Sequence, residues 1–159
     1  SSGPNSMKHE AWVSWRLEGD MPSGRHSSAH TLRFDGGAEI AGSPSPDIVP
    51  APWSDATAVD PEEAFVGAIS SCHMLWFLDL ACRDGWVIET YEDHALGQMT
   101  KNDAGALWVS RVALRTLVTW SKGPDATGEA ALHDKAHHAC FIANSVKTEI
   151  VVETPPKTP

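Results

Sequence analysis

Three cysteines, Cys72, Cys82 and Cys140, are the strongest nucleophiles in this chain, and two of them have histidine neighbours: Cys72-His73 and His137-His138-Ala139-Cys140. Two chemistries are open to that set. A thiolate beside a cation attacks an electrophilic oxygen or sulfur, and a second thiol then closes a disulfide. Alternatively, Cys72, His73, His137 or His138, and Cys140 supply the donor types of a tetrahedral zinc site, although their spacing matches no finger or ribbon pattern. Against both stands the plainer reading that each cysteine is a small buried hydrophobe, that His73 fills a helix face and that His137 and His138 are solvated. For Cys72 to act as a nucleophile it needs a nearby cation, most usefully an arginine, because a mid-helix position gains little from the helix dipole and burial raises a thiol's pKa. Glu62 is the remaining candidate, and the dipole alone accounts for a carboxylate in a first helical turn.

The elements that must position these groups follow from pattern and punctuation. Ala11, Val13, Trp15 and Leu17 alternate with more polar neighbours, which predicts a strand over 10–17. His30–Phe34 and Ala38–Ala41 read as a hairpin about Asp35-Gly36-Gly37, a turn that tolerates positive φ. Residues 43–59 carry four prolines and read as a long loop, which inside a compact domain is functional or disordered. Asp60-Pro61-Glu62-Glu63 is a helix start with a cap, a proline at the first helical position and a capping-box glutamate. That helix runs to about Arg83, stops near Gly85 and is apolar on nearly every side, so a buried central helix is expected. Cys72 lies at its middle. Glu62 lies ten residues earlier, about 15 Å along the axis at ~1.5 Å per residue, so the two cannot touch on one straight helix. Residues 86–100 and 106–120 predict two long strands joined at Asn102–Gly105, 127–139 a second helix capped by Thr127, and 146–153 a last strand. The order indicates an α+β domain.

Composition narrows the class of function. At 159 residues the chain fits one domain and can bury a core without a disulfide or metal. Residues 1–6 read as an expression-tag remnant before a start at Met7, 7–154 as a single domain, and 155–159, after Pro155-Pro156, as a disordered tail. A net charge of -9 argues against nucleic acid and against an anionic membrane surface. No run of about 18 apolar residues suggests a membrane span. An odd number of widely spaced cysteines is not a secreted disulfide framework, so the expected compartment is the cytoplasm. Seven tryptophans against one tyrosine suggest an apolar pocket or a subunit interface.

The run from Asp60 to Leu75, DPEEAFVGAISSCHML, resembles the first cysteine helix of the OsmC/Ohr family of hydroperoxide-resistance proteins. The stretch Ala136–Ser145, AHHACFIANS, resembles the family's second cysteine motif, and Arg33-Phe34-Asp35-Gly36-Gly37 resembles its early hairpin. Their order and separation fit, so the likeness spans nearly the whole chain after Met7. The resemblance implies an α+β fold in which antiparallel sheets wrap long central helices in an intertwined homodimer, with two active sites at the subunit interface. Carried over by position, Cys72 matches the peroxidatic cysteine, Cys140 the resolving cysteine and Glu62 the motif glutamate; Cys82 matches nothing and reads as packing. The family's arginine falls by spacing at Ser27 or Ser28, where this chain departs from the pattern. Arg25, slightly upstream, is the first candidate to replace it, Arg33 the second, and no equivalent the third.

The implied activity is thiol peroxidase: Cys72 reduces an organic hydroperoxide, Cys140 closes the disulfide, and an external dithiol of the lipoyl type reopens it, with no metal, haem or flavin required. Trp53, Phe65, Trp76 and Phe141 are candidates for an apolar wall, Trp76 more readily for core. Two alternatives remain: a non-catalytic protein of the same fold that binds a small apolar ligand, and a Cys/His metal-binding protein.

Overall fold

A computed structural model describes residues 7–153. The expected tag remnant at 1–6 and tail at 155–159 lie outside the described residues. The chain divides into two compact units, Ser1–Pro61 and Glu62–Pro159.

The first unit is built on a three-stranded antiparallel sheet in the order β1 (Ala11–Ser14), β4 (His30–Phe34), β5 (Glu39–Gly42). The predicted hairpin forms where expected: Leu32 faces Ile40, Arg33 faces Glu39, and Gly37 turns the chain at φ 95°. Two elements were not visible in the sequence. β2 (Gly19–Asp20) and β3 (Arg25–His26) make a short antiparallel ribbon. Gly19 has φ +108°, and a Cβ there would lie 2.1 Å from the Arg25 carbonyl oxygen, so only glycine lets these strands approach. Nor is the proline-rich loop free of order. The buried Ser43 hydroxyl accepts the Asp55 N–H at 2.8 Å, Ser54 donates to the Val49 carbonyl at 2.5 Å, and Val59 donates to the Ala41 carbonyl at 2.9 Å, pinning the loop's end to β5.

The second unit opens with α1 (Pro61–Arg83), which starts and stops as its punctuation predicts. The two long strands expected next are each broken in two. β6 (Val87–Asp93) and β7 (Leu96–Lys101) are followed by β8 (Leu107–Leu114) and β9 (Thr116–Lys122). β6 pairs with β9 and β7 with β8, so one long antiparallel ribbon changes sheet at a corner. Side chains hold that corner: Asp93 accepts the Arg115 N–H at 2.7 Å, and the Arg115 guanidinium donates to the His94 carbonyl at 2.8 Å. α2 (Ala126–Ala139) follows. Its cap is Asp125 rather than the expected Thr127, because the Asp125 carboxylate is the group that reaches an orphan helix donor, the Gly128 N–H at 2.8 Å. After a 3₁₀ turn at Ala143–Ser145, β10 (Glu149–Val152) adds to β8 in parallel.

Two apolar clusters flank α1. Phe77 and Ala81 pack with Val118 of β9 and with Leu132 and Ala136 of α2, while Ile69 packs with Val112 and Leu114 of β8. The buried stripe is therefore Ile69, His73, Phe77 and Ala81, at four-residue spacing. The expectation of a helix buried nearly all round does not hold within one chain: Leu75 is 59% exposed. By length and composition α1 is also apolar enough to cross a membrane, contrary to the reading that no such segment exists. Its buried stripe packs on elements of the same unit, as a core helix does.

Candidate active site

Cys72 leaves α1 one residue before the buried stripe's His73, and Cys140 is the residue that ends α2. The fold brings these two together: the side chains of Cys72 and Cys140 hydrogen-bond. Both are free thiols, and they are not equivalent, since Cys72 is half-buried and Cys140 is 1% exposed. Cys140 is pinned by its surroundings. Its own N–H donates to the Ala136 carbonyl at 2.9 Å, and its sulfur accepts the Ala143 N–H at 3.4 Å. Burial pushes the Cys140 thiol pKa up; the hydrogen bond and charge of Cys72 push it further up, against the backbone N–H groups of Ala143 and Ile142. Cys140 is thus held toward its protonated form, and Cys72 is the less buried of the two. Trp76, one turn beyond Cys72, meets Phe141 edge to face with centroids 5.5 Å apart, and Phe141 is 68% exposed. Cys82 is exposed.

Beside the sulfurs lies a group the sequence reading missed. His73 of α1 and His133 of α2 are 1% and 3% exposed, and His73 Nε2 lies 2.9 Å from His133 Nδ1. The other ring nitrogen of His133 lies 3.2 Å from the Thr116 hydroxyl of β9. The two rings are near parallel at 9°, and Phe77 stacks on His133 at 4.2 Å. Both histidines have pKa values lowered to about 4. Burial is the main cause for each; charge on His137 lowers His73 further while Asp93 opposes, and His73 lowers His133. Each ring is neutral at pH 7, one donating and one accepting. The signal in the sequence was spacing: His133 precedes Cys140 by seven residues, two helical turns, which puts both on one face. His73 lies in the core on the buried face of α1, as the plainer reading had it. His137 is half-buried with its Nδ1 enclosed and without a partner among the described residues, and His138 is exposed with Nδ1 2.8 Å from the Asp134 carbonyl. Among the described residues no three His, Cys, Asp or Glu side chains converge as a metal requires, so the zinc reading finds no ligand set.

The other predicted site residues are placed elsewhere. Glu62 is in the first turn of α1, and since the helix is unbroken to Arg83 it stays about 15 Å from Cys72 along the axis. Arg25 is an exposed residue of β3, in the first unit. Arg33 sits in β4 with its guanidinium 4.4 Å from the centre of the Trp12 ring. In the second unit each arginine has a partner of its own: Asp79 for Arg83, Glu153 for Arg111 and the His94 carbonyl for Arg115.

An α+β unit that joins the middle of one helix to the end of another through two adjacent thiols, one sheltered and one reachable, defines a class of dithiol protein. The chain belongs to the OsmC-like protein family, whose pattern it matches over residues 54–155. That span contains Glu62, Cys72 and Cys140 but neither Arg25 nor Arg33. The structure is similar to that of an OsmC-like protein of unknown function from Vibrio cholerae, 44% identical, with a TM-score of 0.91 over 94% of this chain and 99% of that one. It shares its fold with an organic hydroperoxide resistance protein from Legionella pneumophila (16% identity, TM-score 0.67, 93% of this chain and 95% of that one). An organic hydroperoxide resistance protein from Elizabethkingia anophelis is related in the same way (15% identity, TM-score 0.70, 96% of each chain). No curated protein matches the sequence.

Proposed function

We propose that this protein is a thiol-dependent peroxidase that reduces organic hydroperoxides in the cytoplasm. The observation that carries the reading is the contact between a reachable sulfur, Cys72, and a sheltered, proton-retaining one, Cys140. The Cys72 thiolate attacks the distal peroxide oxygen; the O–O bond breaks, Cys72 becomes a sulfenic acid, and the alkoxide takes a proton and leaves as an alcohol. Cys140 then attacks that sulfur, its proton leaves with the hydroxyl as water, and a Cys72–Cys140 disulfide forms. An external dithiol of the lipoyl type reduces it and is itself oxidised to a disulfide. The fold relationship to proteins named for organic hydroperoxide resistance supports this choice of substrate class.

In this reading the activating cation is Arg25, with Arg33 second because its charge already lies over Trp12. Glu62 acts at a sulfur pair it cannot reach along its own helix, which calls for a second copy of the chain. The exposed apolar side chains of Leu75, Leu96, Leu107, Leu117 and Phe141 suit such a homodimer. Residues 7–154 then act as one domain whose parts are completed in the dimer. The test is a titration of free thiols before and after one equivalent of cumene hydroperoxide. Two thiols are lost in the wild type and none in Cys72→Ser; unchanged wild-type thiols end the proposal.

A second reading, a non-catalytic binder of a small apolar ligand, has its own support in an open, shallow surface depression of about 330 Å³ lined by Phe65, Trp108, Val109, Val146, Lys147 and Thr148. It is distinguished by thermal stabilisation on adding such a ligand with no change in thiols under peroxide.

A further inference from the structure

The contact between the sulfurs joins the middle of α1 to the end of α2, and the same two helices are joined once more, by the buried histidine pair. We propose that His73 and His133 are positioning residues whose hydrogen bond sets the register of α1 against α2 and thereby the approach of Cys72 to Cys140. This deepens the dithiol reading of the site and rests on it for the redox role of the two sulfurs.

Most of what holds α1 to α2 is apolar: Phe77 and Ala81 against Leu132 and Ala136. Such contacts are roughly proportional to area and carry little direction. They hold the helices together but tolerate small slides and rotations with a modest change in buried surface. A hydrogen bond is different, since it weakens within a few tenths of an ångström and steeply with angle. His73 Nε2 and His133 Nδ1, 2.9 Å apart, meet that condition at one relative position of the helices. His133 is itself held from a third element, by the Thr116 hydroxyl, and from one face, by Phe77. His73 is bonded in sequence to Cys72, and His133 shares a helix face with Cys140 two turns on. An error of register at the histidines is therefore passed to the sulfurs by rigid helix.

Stability alone gives no reason for the pair. Two imidazoles with so little exposure give up water for one mutual bond and one contact with the Thr116 hydroxyl, and replacing a whole set of buried polar partners by apolar groups of similar size is nearly neutral or stabilising in such settings. What an apolar replacement cannot supply is direction. The two tautomers open to the pair, with His133 either accepting from or donating to Thr116, both preserve the same geometry.

The experiment measures the Cys72–Cys140 disulfide in buffers of reduced and oxidised glutathione, in a Cys82→Ser background, without peroxide. The double variant His73→Leu/His133→Leu is expected to lower the equilibrium constant for that disulfide about tenfold or more, a rise in potential of about 30 mV per tenfold, while its urea-unfolding midpoint at pH 7 falls by no more than the orphaned Thr116 hydroxyl accounts for. His73→Gln, whose amide reaches the position of Nε2, is expected to restore the constant to within about threefold of wild type, where His73→Leu does not. A wild-type constant in the double variant overturns the proposal. So does a His73→Gln protein that falls as far as His73→Leu, a comparison that stands even where the double variant does not fold. A wild type that forms the disulfide in glutathione but ignores cumene hydroperoxide sinks the peroxidase reading and leaves this inference standing.

Discussion

Lowering the pH from 7 to 5 separates the native and unfolded states at His73 and His133. In the folded protein both rings resist protonation down to about pH 4, chiefly because they are buried, with His137 adding to the effect on His73 and Asp93 opposing it. In the unfolded chain the same rings protonate near 6.5. A folded pKa below the unfolded one means that the unfolded state binds more protons between these values. Stability is therefore full above about pH 6.5 and is lost as the pH falls toward 4. Between pH 7 and pH 5 each histidine costs about 2 kcal/mol, so the pair costs roughly 4 kcal/mol. That is a large share of the ~5–15 kcal/mol that a domain has in hand. The assay is urea unfolding at a fixed protein concentration, run at half-unit steps from pH 7.5 to 4.5 on wild type and on His73→Leu/His133→Leu. Groups remote from the pair contribute equally to both proteins and cancel in the difference. The wild type should lose about 4 kcal/mol relative to the variant across the interval. Parallel curves, differing by under ~1 kcal/mol in slope over that range, would refute the assignment of two neutral buried rings.

Further outcomes follow from other groups. Cys140→Ser should still react with one equivalent of cumene hydroperoxide but stop at the Cys72 sulfenic acid, detected as a dimedone adduct by mass spectrometry; a failure to trap it would remove Cys140 from the resolving role. Trp120 donates its indole N–H to the buried Glu129 carboxylate at 3.0 Å, so Trp120→Phe should cost about 1–3 kcal/mol in urea unfolding by leaving that acceptor short of a donor. Asp125→Ala removes the cap on α2 and should cost about 1 kcal/mol, whereas Thr127→Ala should cost less than half of that; the reverse order would return the cap to Thr127.

The elements that the sequence made legible are those with punctuation at their ends. Pro61 and Gly85 bracket α1, and Asp35-Gly36-Gly37 closes the β4–β5 hairpin, because a fixed φ, a missing donor or a positive φ leaves a mark that one residue type satisfies best. The corner between β6 and β7 left no such mark. It is held by the Asp93 and Arg115 side chains, and polar residues in a half-exposed strand look the same whether they are solvated or holding a bend. The β2–β3 ribbon is two residues deep, too short for alternation to register. The buried stripe of α1 was hidden for the opposite reason: with apolar residues on nearly every side, periodicity selects no face, and the stripe that the chain buries includes a histidine, which a hydropathy reading counts against burial. The pairing of Cys72 with Cys140 was not legible from spacing at all. It came from resemblance, and the contact between the two side chains bears out their nearness while leaving their chemistry to experiment.

The same helix explains why the site needs more than one face of α1. A sulfur that meets a peroxide must be reachable, while one that waits to close a disulfide is best kept protonated and away from the oxidant, since a thiolate exposed to peroxide is itself oxidised. One helix stripe cannot meet both conditions. Here the stripe through His73 and Phe77 is committed to α2 and β9, which shelters Cys140 at the end of α2. Cys72, one residue off that stripe, is half-buried, with the exposed Leu75 and Phe141 nearby in sequence to it and to Cys140. The stripe that α1 commits to α2 thus carries one buried polar residue, His73, and Cys72 lies one residue off it.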